Sequence, residues 1–227
     1  MDFVIGCDEA GRGCLLGALV MTAFSVEAKR ERELKEAGAR DSKEMTPESR
    51  EAVRKKIEKI GEHRTVTIPA TLINSAMERK ISLNELEARE ISVVLSAVVA
   101  EIEGRGDRVA AIYLDSPDPI PEKYAKRVRK AVPPLEKIKI ISDNKSENKH
   151  PYVAAASVIA KTTRDDELRK IKEEFGEDFG TGYTHDAKTI DFARRHLRDP
   201  RLAPYLRTRW KTVRNLQSVQ IDLNEFL

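Results

Sequence analysis

The sequence predicts an α/β domain with a mixed central sheet flanked by helices, plus a helical C-terminal segment. Two short apolar segments near the start, residues 3–7 and 18–24, are joined by a glycine-rich connection and read as neighbouring strands of a hairpin. A long amphipathic helix begins at Ser82. Beyond it, two apolar strands at 109–114 and 138–141 are separated by an amphipathic segment at 122–132. Strands followed by alternating helix and strand place helices against a sheet that contains parallel pairs.

Each element has its own local signal. Residues 29–37 and 47–60 are charged helical segments, the second carrying Pro47 at an early helical position after Thr46. Residues 65–68 form a third short strand. Ser82 and Glu85 make a capping box for the central helix, each side chain satisfying a backbone donor of the first turn. Leu83, Leu86, Ile91, Val94, Leu95, Val98 and Ile102 supply its apolar stripe, and Gly104 ends it. Pro151 opens an alanine-rich helix that runs to about Glu174. Its run Ala154-Ala155-Ala156-Ser157 lacks bulk and permits close approach to a neighbouring backbone. A glycine loop at 176–182 follows, then helical stretches broken at Pro200 and Pro204.

Composition narrows the class of protein. With 40% hydrophobic residues among 227, the chain can bury a substantial core, which excludes wholesale disorder. Two cysteines, Cys7 and Cys14, are too few for a disulfide framework or a cysteine-based zinc site. No apolar run is long enough to span a bilayer and the start lacks a secretory signal, so a cytoplasmic protein without a membrane partner is expected. The formal net charge is only +3, but between residues 188 and 214 nine Lys/Arg face two Asp. Cations at that density mark either a phosphate-binding surface or a solvated helical face. Arg194, Arg195, Arg207 and Arg209 are the candidates for phosphate contact.

Four acidic residues fall at element ends. Asp8 and Glu9 follow the first strand, Asp115 follows the strand at 109–114, and Glu147 lies just before the helix opened by Pro151. Carboxylates at the ends of neighbouring strands can converge, and their repulsion is relieved by a divalent cation. Hard oxygen donors favour Mg²⁺ or Mn²⁺ over zinc. Two such ions can hold an attacking water and a leaving oxygen on either side of a phosphorus atom. Taken singly, each acid could equally be a helix cap or a surface charge, and Asp115, ahead of Ser116-Pro117, a turn residue. Gly11-Arg12-Gly13 allows backbone N–H groups to approach a sugar or phosphate, although a tight turn explains it as well.

Together these segments resemble type 2 ribonucleases H (ribonuclease HII), in their archaeal form. The opening Gly6-Cys7-Asp8-Glu9-Ala10-Gly11-Arg12-Gly13 is similar to that family's first motif, and Asp41-Ser42-Lys43 with Thr46-Pro47 to its second. Further matches occur in order: Leu83-Asn84-Glu85-Leu86-Glu87, Tyr113-Leu114-Asp115, Ala155-Ala156-Ser157-Val158-Ile159-Ala160-Lys161 with Arg164-Asp165, Gly180-Thr181-Gly182-Tyr183 and Arg209-Trp210-Lys211-Thr212.

The resemblance implies a ribonuclease H-like catalytic domain over 1–185, a helical substrate-binding segment over 186–219 and a sliding-clamp-binding tail over 220–227. It implies catalytic, metal-binding carboxylates at Asp8, Glu9, Asp115 and Glu147, with Mg²⁺ or Mn²⁺ as cofactor. Gly11, Arg12 and Gly13 would read the ribose 2′-hydroxyl through backbone contacts, which is how a protein distinguishes RNA from DNA. Tyr183 would lie against the sugar and Lys43 would contact phosphate. The implied reaction is hydrolysis of RNA in RNA–DNA hybrids and at ribonucleotides embedded in duplex DNA. The cut falls 5′ to the ribonucleotide and leaves a 3′-hydroxyl and a 5′-phosphate. Gln220, Leu223, Phe226 and Leu227 are spaced like the docking peptide that engages sliding clamps, and a monomer is expected.

Three segments depart from the family pattern. Glu147 stands where Asp is usual, Cys14 replaces a proline, and Thr184-His185-Asp186-Ala187 replaces Pro-Ser-Asp-Pro. Asp143 is an alternative to Glu147 as ligand. A binding protein on the same scaffold, with catalysis impaired at Glu147, is the competing reading.

Overall fold

β1 (Asp2–Ala10) is the central strand of a five-stranded sheet of order β3-β2-β1-β4-β5 among the described residues. The computed structural model describes residues 1–39, 45–131, 135 and 137–217. β2 (Leu19–Glu27) pairs antiparallel with β1, as the glycine-rich connection requires. After α1 (Glu31–Ala37) and α2 (Pro47–Ile57) the chain enters the edge strand β3 (Glu62–Ile68). Thr46 caps α2 by accepting from the Ser49 amide at 3.2 Å. α3 (Ala70–Glu78) and α4 (Leu83–Gly104) lead to β4 (Arg108–Asp115), which lies parallel to β1. α5 (Pro121–Ala131) then crosses to β5 (Ile140–Asp143), parallel to β4. The last long elements are α6 (Pro151–Phe175) and α7 (Ala187–Arg195). The sheet is mixed and flanked by helices, as expected.

The chain forms two compact units. The first comprises Met1–Ala10, Val20–Val66 and Asn84–Thr163 and contains all but the ends of the sheet. In its core Val4, Phe24 and Val26 pack with Leu34 of α1, Ile57 of α2 and Val153 and Ile159 of α6. α6 sits so close to β1 that a Cβ on Gly6 would lie 2.3 Å from the Tyr152 carbonyl carbon. The second unit draws on Gly11–Leu19, Thr67–Leu83 and the chain from Arg164 onward. Its core joins Leu15 and Leu16 to Leu168, Phe179, Phe192, Leu206 and Val213.

Two differences from the sequence reading have clear causes. α3 was not anticipated: Thr71, Ile73, Asn74 and Ser75 are weak helix formers. Burial of Ala70, Ile73 and Ala76 on one face stabilises it instead. β3 starts at Glu62, three residues before the apolar stretch, because an edge strand tolerates the polar Glu62, His63 and Arg64. Among the described residues no helix is long and apolar enough to cross a membrane.

Candidate active site

In the first unit, the parallel register of β1 and β4 pairs Cys7 with Leu114, so the next residue of each strand, Asp8 and Asp115, comes at the same sheet end. Glu9 is the third member: one carboxylate oxygen from each of Asp8, Glu9 and Asp115 lies within 4.8 Å of the other two. Asp8 is buried, while Glu9 and Asp115 are half-buried.

Glu147 occupies a short 3-10 turn, Ser146–Asn148, and is also buried. That turn is tied to β4, because the Ser146 amide donates to Asp115 Oδ1 at 2.7 Å. The carboxyl groups of Glu147 and Asp115 are within hydrogen-bonding reach, and the charge of Glu147 acts on Asp8 as well. All four sequence-predicted carboxylates are therefore neighbours. Asp143 is engaged elsewhere, accepting from Lys149 Nζ at 2.8 Å, which holds its carboxyl below the usual range.

Burial raises the pKa of Asp8, against a hydrogen bond from Ser157, the charge of Lys161 and the Glu9 amide, which donates at 2.7 Å. Burial also raises that of Asp115, and the negative charge of Asp8 adds to it. Crowded carboxyls of this kind resist ionising together unless a cation joins them. A cluster of half-buried and buried oxygen donors, with no sulfur or imidazole among Asp8, Glu9, Asp115 and Glu147, fits a hard divalent ion. Ser157 and Lys161 were not singled out from the sequence. Their spacing of four on the bulk-free stretch of α6 is the signal that puts both on one helix face.

The second unit gathers another group of predicted residues. Gly11 has φ +85°, and a Cβ there would lie 2.7 Å from the Ala18 carbonyl oxygen. The Cys14 amide closes the turn onto the Gly11 carbonyl at 3.2 Å, a bond that proline could not donate. Gly13 is exposed, and its Cβ position is 3.7 Å from the Tyr183 ring. Cys14 and Tyr183 form an isolated antiparallel bridge. Arg164 lies over the Tyr183 ring at 4.8 Å from its centroid, while Arg164 Nη2 also donates to Cys14 Sγ at 3.3 Å. His185 stacks beside the same ring at 5.5 Å. Gly11, Arg12, Gly13 and Tyr183 are thus assembled. Lys43, with Asp41 and Ser42, lies outside the described residues, as do Gln220, Leu223, Phe226 and Leu227.

Of the four arginines expected to meet phosphate, Arg194 and Arg209 are exposed, and Arg195 is committed to Glu177 and Asp191. Arg207 corrects the expectation: its side chain is fully buried, 0% exposed, and cannot form part of a phosphate-binding surface. A sequence window counts its charge but not the core that encloses it.

Comparison with known proteins adds a consistent pattern. The family model described as Ribonuclease HII matches residues 5–213. A ribonuclease HII of Methanocaldococcus jannaschii is 36% identical over 222 residues, covering 94% of each chain. The crystal structure of the ribonuclease H2 from Pyrococcus horikoshii is similar with TM-score 0.80 and 31% identity, over 96% of this chain and 98% of that one. The ribonuclease HII of Archaeoglobus fulgidus, solved in complex with PCNA, is similar with TM-score 0.79 and 31% identity, over 94% and 96%.

Proposed function

The chain belongs to the ribonuclease HII family and is a metal-dependent endoribonuclease of ribonuclease H type, and from that premise we propose its substrate and chemistry. It cuts RNA in RNA–DNA hybrids and at ribonucleotides embedded in duplex DNA, 5′ to the ribonucleotide, leaving a 3′-hydroxyl and a 5′-phosphate. The observation that carries this reading is the cluster of Asp8, Glu9 and Asp115 with Glu147 beside it.

These four side chains hold Mg²⁺ or Mn²⁺ in our reading. When bound, the divalent cation supplies Lewis-acid stabilisation of charge developing at the scissile phosphate. Ser157 and Lys161 keep the Asp8 carboxyl oriented and favour its ionised form. The backbone of Gly11, Arg12 and Gly13 reads the 2′-hydroxyl, supported by the exposure of Gly13 and the tight turn closed at Cys14. Tyr183, backed by Arg164, lies against the sugar. Lys43 contacts phosphate, the tail residues Gln220, Leu223, Phe226 and Leu227 bind the sliding clamp, and the enzyme works as a cytoplasmic monomer. The clamp assignment is supported by the complex with PCNA formed by the Archaeoglobus relative.

The test is a duplex carrying one embedded ribonucleotide, incubated with Mg²⁺ or Mn²⁺, with the cut mapped at nucleotide resolution. A single cut 5′ to the ribonucleotide is expected, and Asp8→Asn or Asp115→Asn should lower its rate at least about a hundredfold while hybrid binding survives, because the carboxylate holds the ion and other contacts hold the duplex. Binding without cleavage by the unaltered protein, in either metal, would favour the impaired-scaffold reading instead.

A further inference from the structure

We infer that Arg207 is a positioning residue for ribose recognition: its guanidinium fixes the Arg12–Gly13 peptide and thereby aims the Gly13 N–H. This rests on the proposed role of the glycine loop as the reader of the 2′-hydroxyl. Arg207 is the largest fully buried side chain among the described residues. Its Nη1 donates to the Arg12 carbonyl at 2.8 Å and its Nε to the Gly17 carbonyl at 3.1 Å. Its own amide donates to the Leu15 carbonyl at 3.1 Å, and the guanidinium carbon lies 5.2 Å from the centre of the Trp210 ring. One planar fork therefore ties both ends of the loop that follows β1.

A buried guanidinium is a poor means of gaining stability, since apolar residues of similar volume are often as good or better. What arginine adds is geometry, because its rigid donors address two carbonyls at fixed angles. The Arg12–Gly13 peptide is trans and planar, so its C=O and N–H point in opposite directions. Holding the Arg12 oxygen inside the second unit turns the Gly13 N–H the other way, at a residue that is exposed. A charged donor on the carbonyl also polarises the peptide and makes that N–H a stronger donor. Lysine, a point charge without the fork, can replace the charge but not the two fixed directions.

The experiment measures binding of two duplexes of identical sequence, one all-DNA and one with a single ribonucleotide, by fluorescence anisotropy in Mg²⁺. An Asp115→Asn background keeps the ribonucleotide duplex intact. Arg207→Lys should reduce the preference for the ribonucleotide duplex by about tenfold while affinity for the all-DNA duplex stays within about twofold. Leu206→Ala, a truncation in the same core, serves as the comparison for general loosening and should keep the preference. Should Arg207→Lys fail to fold, Trp210→Leu, which removes the ring beside the guanidinium, should show a smaller loss of preference in the same direction. An unchanged preference in the Arg207→Lys protein would overturn the inference, as would equal losses in it and in Leu206→Ala. So would an unchanged preference in Trp210→Leu where that variant stands in. If the Asp115→Asn parent itself shows no preference, the glycine-loop reading fails first, and the two failures are told apart.

Discussion

Glu147 reaches Asp115 from a short turn between β5 and α6. It lies on a 3-10 turn preceded by Lys145 in the left-handed region, with φ 55°, and anchored by the Ser146 amide. If the carboxylate is what the position requires, removing its charge should matter more than shortening it. Glu147→Gln should lower kcat at least about tenfold, and Glu147→Asp should retain most activity. Equal turnover by the Gln variant at saturating metal would remove Glu147 from the ligand set. The strand-end acids Asp8, Glu9 and Asp115 were legible in the sequence because a strand's last residues share one end of the sheet. Ser157, Lys161 and Arg207 were not, since their partners at Asp8 and Arg12 are far away in sequence.

Two elements depend on single residues in ways that can be measured. β1 and α6 approach each other over Gly6, where an added Cβ would meet the Tyr152 carbonyl and lie 2.5 Å from the Val153 amide. Both obstacles are backbone, so neither can rotate aside. Gly6→Ala should destabilise the protein by about 1–3 kcal/mol or more in urea unfolding, and a neutral result would mean the helix can shift. The alanine run of α6 made that approach legible from sequence; its position over Gly6 was not. At α7, Asp186 is the N-cap, accepting from the Thr181 amide at 2.7 Å, the Thr181 hydroxyl at 2.8 Å and the Lys188 amide at 2.9 Å. These bonds, the Thr181 amide first, depress its pKa to about 2. A carboxyl with a lowered folded pKa adds stability that is complete above its unfolded pKa of about 3.9 and is lost as pH falls towards 2. Asp186→Ala should thus cost about 1 kcal/mol at pH 7, with the deficit shrinking between pH 4 and pH 2. A deficit independent of pH over that window would assign the loss to packing.

Across the whole molecule, the mixed sheet was legible because each strand carries its own apolar signal and the helices between them fix parallel crossovers. The assembly of the second unit was not, because its three stretches are separated by the strands and helices of the first. The proposed clamp contact is a property of this scale too, as it joins the chain to a partner without touching the chemistry. Removal of residues 220–227 should leave cleavage of short duplexes unchanged and abolish heat of binding to the source organism's clamp in calorimetry. Phe226→Ala alone should weaken binding at least about tenfold, and undiminished affinity would sink the assignment. The bond between Arg207 and the Arg12 carbonyl spans 195 positions. At about 5–20 residues added per second, the ribosome takes roughly 10–40 s to cover that gap. Throughout that interval the newly made glycine loop lacks its strut, and Leu15 and Leu16 lack the part of their core that Leu206 and Val213 supply. The nascent chain therefore carries part of the apolar surface of its second unit uncovered until the residues around Leu206 have been made.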